Sequence, residues 1–198
     1  MNMPTLLLIA FSLIAFGIPL FGVESEFNFA LQQKAPHLSQ RELFEKLTGK
    51  WEGICRTWFE PGKLADESKV AGEIVKVLNA QFLRHTYKGT IQGKPRHGEE
   101  LIGYNSVTRT FQSSWVDDFH MNYAIMFSQG EALDRGFRVR GEYDVGEKQS
   151  KWGWRTEYKL VDDDHLTITA YNIPPKGIEY KAVETIYHRI KKSDNPGR

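Results

Sequence analysis

The polar side chains that could do chemistry lie closest together at Asp117, Asp118 and His120. A carboxylate beside an imidazole can act as a general acid and base, or it can bind a metal ion if a further ligand joins it. The two aspartates also end a strand-like segment, where aspartate commonly caps a turn. The cluster therefore predicts either a catalytic pair of Asp117 and His120 or a structural turn, and we expect no bound metal.

His85 is the histidine with the clearest strand context, because it alternates with Leu83 and Tyr87. An imidazole inside a β-barrel could bind haem, and with His97 or His120 it could bind a metal ion. A single histidine in a strand more often packs in the core or faces solvent. We therefore expect no cofactor and keep haem as an alternative.

Aromatic side chains supply most of the candidates for binding an apolar molecule. Trp152, Trp154 and Tyr158 fall on one face of a predicted strand, and Trp115 shares a face with Asp117 in ideal alternation. Indole and phenol rings can stack on a ligand, and they can equally form the core of the protein. We predict that these four aromatic residues contribute to ligand binding.

Glu184 is the fifth ligand-binding candidate. It lies between Ala182 and Ile186 on one face of the last predicted strand. If that face is the interior, the carboxylate is buried and needs a partner, because an unpaired buried charge is costly. Glu184 would then either form an internal salt bridge or orient a ligand.

The elements that would position these side chains are β-strands. From Trp51 onward, apolar and polar residues alternate with a period of two, and turn residues such as Pro61-Gly62 and Asn105-Ser106 separate the segments. The pattern predicts about ten strands, at 51–59, 70–78, 82–91, 99–104, 110–116, 121–128, 137–143, 152–159, 166–171 and 180–190. Short connections favour an antiparallel up-and-down meander, which closes into a barrel because closure removes both sheet edges. The fold class is therefore all-β.

A short helix precedes the first strand. Ser39 can cap it, and Glu42, three residues on, completes a capping box. Gly49 stands where a left-handed residue commonly ends a helix. One face is apolar and would cover a barrel mouth, through Leu43, Phe44 and Leu47.

Trp51 and Arg189 belong to the first and the last predicted strand. These two strands become neighbours when the barrel closes. An arginine over an indole ring is a favourable cation–π contact. We therefore predict that Trp51 and Arg189 close one end of the barrel, with a ligand-binding floor as the alternative.

Composition limits the function classes. The 198 residues include 26 lysines and arginines against 25 aspartates and glutamates, so no net field attracts nucleic acid or an anionic membrane. The length suits one domain with additional terminal segments. The single cysteine, Cys55, excludes an internal disulfide and a thiolate zinc cluster.

The N-terminal segment is apolar from Leu6 to Val23 and has no charged side chain before Glu24. Such a segment is typical of a signal peptide or an N-terminal membrane anchor. We predict that residues 1–25 direct export to the periplasm or outside the cell, and that they are the only membrane contact if they are not cleaved. Residues 26–37 would form a connector, 38–192 the barrel domain and 193–198 a polar tail.

Several short motifs resemble those of a known family. The motifs are Leu47-x-Gly49-x-Trp51-x-Gly53, Gly98 to Gly103-Tyr104, Trp115-Val116-Asp117 and Glu184-x-x-Tyr187-x-Arg189. Their order and spacing resemble those of a bacterial family of calycin-like proteins, domain of unknown function number 1579. The resemblance extends from about Leu38 to Ile190. The resemblance implies a lipocalin-like barrel and no established activity. The related nitrobindin-like barrels bind haem through a histidine that cannot be placed residue by residue in this chain.

The preferred hypothesis is a binding module that holds a small hydrophobic or amphipathic molecule inside the barrel. It assumes a wide cavity with many aromatic and few convergent polar groups. An enzyme acting through the Asp117 and His120 region, a haem protein and a filled barrel without a ligand are the alternatives, because one fold serves unrelated functions. The sequence does not determine the oligomeric state.

Overall fold

The computed structural model describes residues 38–120 and 123–191. The predicted signal or anchor segment, the connector and the polar tail lie outside the described residues. In the part of the chain that is described, no helix is both long enough and apolar enough to cross a membrane.

In the residues that the structure describes, one short helix precedes ten β-strands. The helix α1 spans Gln40–Leu47, and the strands are β1 Gly49–Glu60, β2 Lys63–Val77, β3 Phe82–Ile91, β4 Lys94–Asn105, β5 Thr110–Asp117, β6 Met126–Leu133, β7 Gly136–Tyr143, β8 Trp152–Leu160, β9 His165–Ile173 and β10 Tyr180–Arg189. Each strand pairs antiparallel with the next, and β10 pairs with β1. The prediction of an all-β, ten-stranded, up-and-down barrel with a short N-terminal helix is confirmed.

Tight turns determine the register of the early hairpins. Gln92 and Gly93 have φ angles of 49° and 74°, so they form a two-residue connection between β3 and β4. The strand β4 consequently starts at Lys94 and includes Pro95, which the sequence pattern assigned to the turn. This difference matters for the site because it places Arg96 inside a strand.

The sixth strand differs most from its prediction. The pattern predicted a strand at 121–128 that ends at Gln129-Gly130, whereas β6 runs from Met126 to Leu133. Gly130 lies inside the strand and pairs with Val139 of β7. A glycine can occupy a strand interior where another backbone approaches closely, so this glycine does not mark a turn.

The helix α1 covers one end of the barrel. The Ser39 hydroxyl accepts a hydrogen bond from the Glu42 backbone N–H, and the Glu42 carboxylate accepts one from the Ser39 N–H, which forms the predicted capping box. The apolar face is buried against the barrel interior through Leu43, Phe44 and Leu47. The Phe44 ring centroid lies 6.3 Å from that of Phe111 at the start of β5.

Gly49 does not end the helix in the left-handed conformation that was predicted. The helix ends at Leu47, Thr48 is extended, and Gly49 begins β1 with a φ of 151°. A Cβ atom at Gly49 would clash with Nη1 of Arg189. Glycine is needed at this position because the guanidinium group of Arg189 occupies the space of a side chain.

The core has two parts along the barrel. The larger part lies under α1 and includes Trp51, Phe111 and Phe137. The smaller part is formed by Met126, Trp154, Ala170 and Ala182. The candidate site lies between them, where the interior side chains become polar.

Candidate functional site

A cavity that is partly open to solvent lies inside the barrel. It offers about 60 Å³ to the centres of water molecules, which is room for a few waters or a ligand on the order of a single aromatic ring. Its wall combines apolar, aromatic and polar side chains from most of the strands, namely Val70, His85, Tyr87, Arg96, Glu100, Trp115, His120, Met126, Ser128, Trp154, Thr156, Tyr158, Ile168, Ala170, Val183, Thr185 and Tyr187. The cavity is much narrower than the sequence argument assumed, because these side chains fill most of the barrel.

Three buried polar side chains are connected by hydrogen bonds across the cavity wall. His85 and Glu100 are direct register partners on β3 and β4, and Tyr158 reaches them from β8. The Tyr158 hydroxyl donates a hydrogen bond of 2.5 Å to Oε2 of Glu100. Nδ1 of His85 lies 2.9 Å from the same hydroxyl oxygen. These hydrogen bonds join a carboxylate, a phenol and an imidazole in the barrel interior.

Burial controls the protonation of these three side chains. It lowers the pKa of His85 to about 3, with a contribution from the charge of Arg96, so the imidazole is neutral at neutral pH. Burial also raises the pKa of Glu100, and hydrogen bonds from Tyr158 and Ser113 oppose that rise. The pKa of Tyr158 is raised well above 10 by burial and by Glu100, so its hydroxyl keeps its proton.

A second polar group surrounds Arg96. Its side chain is 8% exposed, and its Nε atom lies 3.4 Å from Oδ2 of Asp117, whose side chain is fully buried. The guanidinium also lies over the Tyr87 ring at 4.7 Å, and Nη1 donates a hydrogen bond to Sγ of Cys55 at 3.8 Å. The pairing of Arg96 with Asp117 compensates both buried charges.

Asp117 is the most heavily hydrogen-bonded carboxylate of the site. Its Oδ2 accepts a bond of 2.5 Å from the Tyr87 hydroxyl, and its Oδ1 accepts bonds from the backbone N–H groups of Phe119 and His120. Nδ1 of His120 lies 3.1 Å from the same Oδ1. Burial alone would raise the pKa of Asp117, but the bonds from His120 and Tyr87 and the charge of Arg96 lower it well below its usual range.

A pair of stacked indoles lines the side of the cavity away from α1. The ring centroids of Trp115 and Trp154 lie 5.6 Å apart, with an angle of 12° between the planes. The Trp115 Nε1 donates to the Tyr87 hydroxyl, and the His120 ring lies 5.7 Å from that of Trp115. The pair connects the apolar side of the cavity to the polar groups around Asp117.

The structure brings most of the predicted site residues together. Trp115, Trp154, Tyr158 and His120 line the same cavity, and Asp117 lies behind His120. Trp152 shares the inward face at the start of β8 but is not part of the cavity wall. Its register partner is Tyr143, at the far end of β7.

Glu184 does not face the interior, so the condition for an internal salt bridge or a ligand contact is not met. Its carboxylate lies on the outer face, 3.6 Å from Nη1 of Arg56 and 2.5 Å from Nζ of Lys181. A register shift between Lys181 and Val183 changes which residues of β10 point inward. After this irregularity the interior positions are Val183, Thr185 and Tyr187, and a salt bridge with solvent access replaces the expected internal one.

The expectation of few convergent polar groups is wrong. Tyr87, Arg96 and Glu100 were not among the predicted site residues, yet each contacts the cavity. Alternation offered a signal for Glu100, because it shares a face with Ile102 in β4. Arg96 had no such signal as long as Pro95 was assigned to the turn.

Trp51 and Arg189 lie together at the end of the barrel that α1 covers. The guanidinium carbon of Arg189 is 4.1 Å from the Trp51 ring, and the two residues are register partners. The guanidinium donates hydrogen bonds to the carbonyl oxygens of Lys46, Thr48 and Asp163. The Trp51 Nε1 donates a hydrogen bond to the carbonyl oxygen of Leu47. Trp51 and Arg189 together therefore join α1 to β1 and β10.

Within residues 38–120 and 123–191, no three histidine, cysteine or acidic side chains converge as metal ligands. His85 lines the cavity, but a haem macrocycle is far larger than the available volume. Haem would require the stacked indoles and Tyr158 to move out of the interior.

Broader depressions on the outer face of β1 to β4 are open to solvent. They are lined by outward-facing side chains that include Ala71, Lys88 and His97. A molecule lying there would keep much of its surface in water. The interior cavity is less open to solvent and is therefore the better candidate for a specific small-molecule site.

The fold is shared with a protein of known structure. The S-type phycobiliprotein lyase CPES from Guillardia theta aligns with a TM-score of 0.54 and 13% sequence identity, covering 78% of this chain and 94% of that chain. At this identity the likeness shows the fold alone. A comparison with curated proteins found no match.

The sequence matches a family model over residues 37–189, which is most of the chain. The model is described as "Protein of unknown function (DUF1579)". The matched range contains α1, all ten strands and the cavity. The resemblance noted in the sequence is thereby confirmed, and the chain belongs to the DUF1579 family of proteins of unknown function.

Proposed function

We propose that this protein binds a small amphipathic molecule inside the barrel. The observation that carries the proposal is one interior cavity whose wall contains both the stacked Trp115 and Trp154 pair and the hydrogen-bonded His85, Tyr158 and Glu100 side chains. Ligand sites commonly combine an apolar surface with a few fixed polar groups that set the orientation of the ligand.

The size and the polarity of the cavity narrow the ligand class. About 60 Å³ for water centres suits a molecule of roughly one ring, rather than a long acyl chain or a macrocycle. An apolar part would pack on Trp154 and Met126, which belong to the smaller core cluster. A polar part would lie toward His85 and Glu100.

Protein-observed NMR with a library of single-ring compounds tests the proposal. Binding should move the indole N–H resonances of Trp115 and Trp154, while the signal of Trp58 on the outer face should stay constant. Ala170 lines the cavity, so Ala170→Leu should fill part of it and weaken binding by roughly tenfold or more, since overpacking opposes insertion of a ligand.

The matched control is Ala132→Leu, which adds the same atoms at an exposed position of β6. It should leave binding unchanged. If no compound moves the two interior indole signals, or if Ala170→Leu and Ala132→Leu bind equally well, the interior cavity is not the binding site.

Acid–base catalysis is a second candidate function, and the Asp117–His120 pair favours it. The fully buried carboxylate of Asp117 lies 3.1 Å from Nδ1 of His120, and the His120 ring lines the cavity. A carboxylate that holds one imidazole nitrogen leaves the other free to accept a proton from a bound molecule. The pair has the geometry of a general base with its orienting group.

A matched pair of variants tests this second candidate. His97 also pairs with an aspartate, Asp118, at 2.9 Å, but on the exposed surface. If the cavity catalyses hydrolysis of small chromogenic esters, His120→Gln should abolish the reaction and His97→Gln should not. Equal rates in both variants, or no rate above background in the unaltered protein, would exclude this catalytic role.

A further inference from the structure

One nitrogen in the barrel wall has no hydrogen-bond partner. Nε2 of His85 is fully buried and unpaired among the described residues, and the whole residue is 3% exposed. A buried polar atom without a partner is rare and costs free energy that a ligand can recover. Nε2 of His85 is therefore a position at which a bound ligand could supply the missing hydrogen bond.

The hydrogen bonds among His85, Tyr158 and Glu100 determine whether Nε2 of His85 is a hydrogen-bond donor or acceptor. The Tyr158 hydroxyl donates its one hydrogen bond to Glu100. In the contact between Tyr158 and His85, the hydroxyl oxygen is therefore the acceptor and Nδ1 of His85 is the donor. A neutral imidazole carries one N–H. With the proton on Nδ1, Nε2 holds a lone pair and acts as a hydrogen-bond acceptor.

A second unpaired group lies beside Nε2. The Tyr187 hydroxyl makes no hydrogen bond with the described part of the chain, and its ring centroid is 6.0 Å from that of His85. Both groups approach Gly72 of β2. A Cβ atom built there would lie 2.5 Å from Oη of Tyr187 and 3.1 Å from Nε2 of His85. Glycine is needed at this position because the Tyr187 hydroxyl, next to Nε2 of His85, occupies the space of a side chain. Both His85 and Tyr187 line the interior cavity.

We propose that Nε2 of His85 and the Tyr187 hydroxyl bind the hydroxyl group of the ligand. The ligand O–H donates to Nε2 and accepts from Tyr187, so both unpaired atoms are satisfied by one group. The ligand class is a small phenol or alcohol whose apolar part packs toward Trp115 and Trp154. This inference rests on the proposed small-molecule function and adds the chemistry of its polar anchor.

Phenol and toluene test the anchor because they have nearly the same shape and differ in the hydroxyl group. Their affinities can be measured by protein-observed NMR titration of the full chain. Phenol should bind the unaltered protein at least about tenfold more tightly than toluene, because only phenol pairs the buried acceptor.

Tyr187→Phe removes a single oxygen atom from the anchor. It should reduce the preference for phenol to near parity while leaving toluene binding intact. The matched control is Tyr171→Phe, since Tyr171 lies on the outer face under the Arg155 guanidinium, 4.0 Å from its carbon atom. This control should keep the full preference for phenol.

The side-chain nitrogen spectrum of the unaltered protein gives a second reading that needs no variant. It should show a proton on Nδ1 of His85 and none on Nε2, and phenol should shift the Nε2 signal. A proton on Nε2 would overturn the anchor. If phenol and toluene bind equally, small-molecule binding stands and the anchor is wrong. If neither binds, both the anchor and the proposed function fail for ligands of this size.

Discussion

At the level of single residues, the charged side chains buried in the barrel are compensated by ion pairs and hydrogen bonds. Arg96 and Asp117 compensate each other, and Tyr87 contacts both, through its ring and its hydroxyl respectively. Glu100 has no cationic partner among the described residues, and its raised pKa follows from its burial. The balance explains how a small barrel tolerates this many polar groups in its interior.

The Arg189 guanidinium stabilises the closed end of the barrel through three carbonyl acceptors and the Trp51 ring. Arg189→Lys keeps the charge but loses the planar fork that reaches all three carbonyl oxygens. We expect the free energy of unfolding to fall by about 3 kcal/mol, because the partly buried carbonyl oxygens of Lys46 and Thr48 and the exposed one of Asp163 lose a charged donor. Urea denaturation at neutral pH measures this difference.

Arg138→Lys is the matched control for that experiment. Arg138 pairs with Glu131 on the exposed outer face, where ion pairs contribute little. Its free energy of unfolding should stay within about 0.5 kcal/mol of the unaltered protein. Equal losses in the two variants would show that the Arg189 contacts are not what stabilises this end.

His85 makes stability depend on pH. Its folded pKa of about 3 lies below the ordinary value of 6.5, so the unfolded state takes up the proton first as the pH falls. The stabilisation is present above pH 6.5 and is lost as the pH falls toward 3. The expected slope is roughly 1.4 kcal/mol per pH unit in that range.

Urea unfolding of His85→Gln at several pH values tests this assignment. The variant should lack this slope, so its stability should fall less than that of the unaltered protein between about pH 6 and pH 4. Glu100 acts in the opposite direction in both proteins and drops out of the difference. His188→Gln, on the exposed outer face beside Glu52, should behave like the unaltered protein. A variant that keeps the full slope would contradict the buried neutral state of His85.

Individual site residues were harder to predict from the sequence than their strands. Alternation placed Trp115 and Trp154 on inward faces, because ideal strands keep a period of two. The same reasoning failed at Glu184, because a register irregularity in β10 reverses the alternation. A bulge depends on contacts between strands, so a single strand's pattern does not reveal it.

At the level of elements, the helix α1 acts as a cover whose position depends on both of its ends. Ser39 caps its N-terminus, and the C-terminal carbonyl oxygens of Lys46 and Leu47 accept bonds from Arg189 and Trp51. Ser39→Ala should lower the free energy of unfolding by about 1 kcal/mol, because backbone N–H groups lose their acceptor. Thermal or urea unfolding measures this loss.

Ser106→Ala is the control, because Ser106 is an exposed serine in the turn between β4 and β5. It should change stability by less than about 0.5 kcal/mol. If Ser39→Ala behaves like the control, the capping box contributes nothing to holding α1 on the barrel.

The bounds of β3 followed the sequence closely, whereas β2 and β4 begin several residues before their predicted starts. The predicted strand at 82–91 coincides with β3, because Asn79-Ala80 and Gln92-Gly93 adopt positive φ angles on either side of it. The start of β6 was wrong by several residues. Apolar residues such as Ile125 continue the strand-like pattern before β6 begins, yet this residue is exposed and unpaired in the sheet.

At the level of the whole molecule, closure between β1 and β10 leaves no free sheet edge in the barrel. The period-two pattern and the short turns were sufficient to predict this architecture. The cavity volume was not predictable, because it depends on how large side chains from distant strands share the interior.

The export of the chain remains a proposal that rests on the apolar segment from Leu6 to Val23. We expect the mature protein, isolated from cells that produce it naturally, to begin at Glu26 and to be found outside the cytoplasm. N-terminal mass spectrometry of the fractionated cells measures both. An intact Met1 in a membrane fraction would instead identify the segment as an anchor.

Binding of a small molecule in the barrel interior is the proposal on which the assigned function depends. Native mass spectrometry of the protein purified under gentle conditions from its natural source tests it most directly, with Ala170→Leu as the comparison. We expect an added mass of one small organic molecule in the unaltered protein and a bare polypeptide in the variant. A bare polypeptide in both samples, together with interior indole signals that no single-ring compound moves, would contradict it.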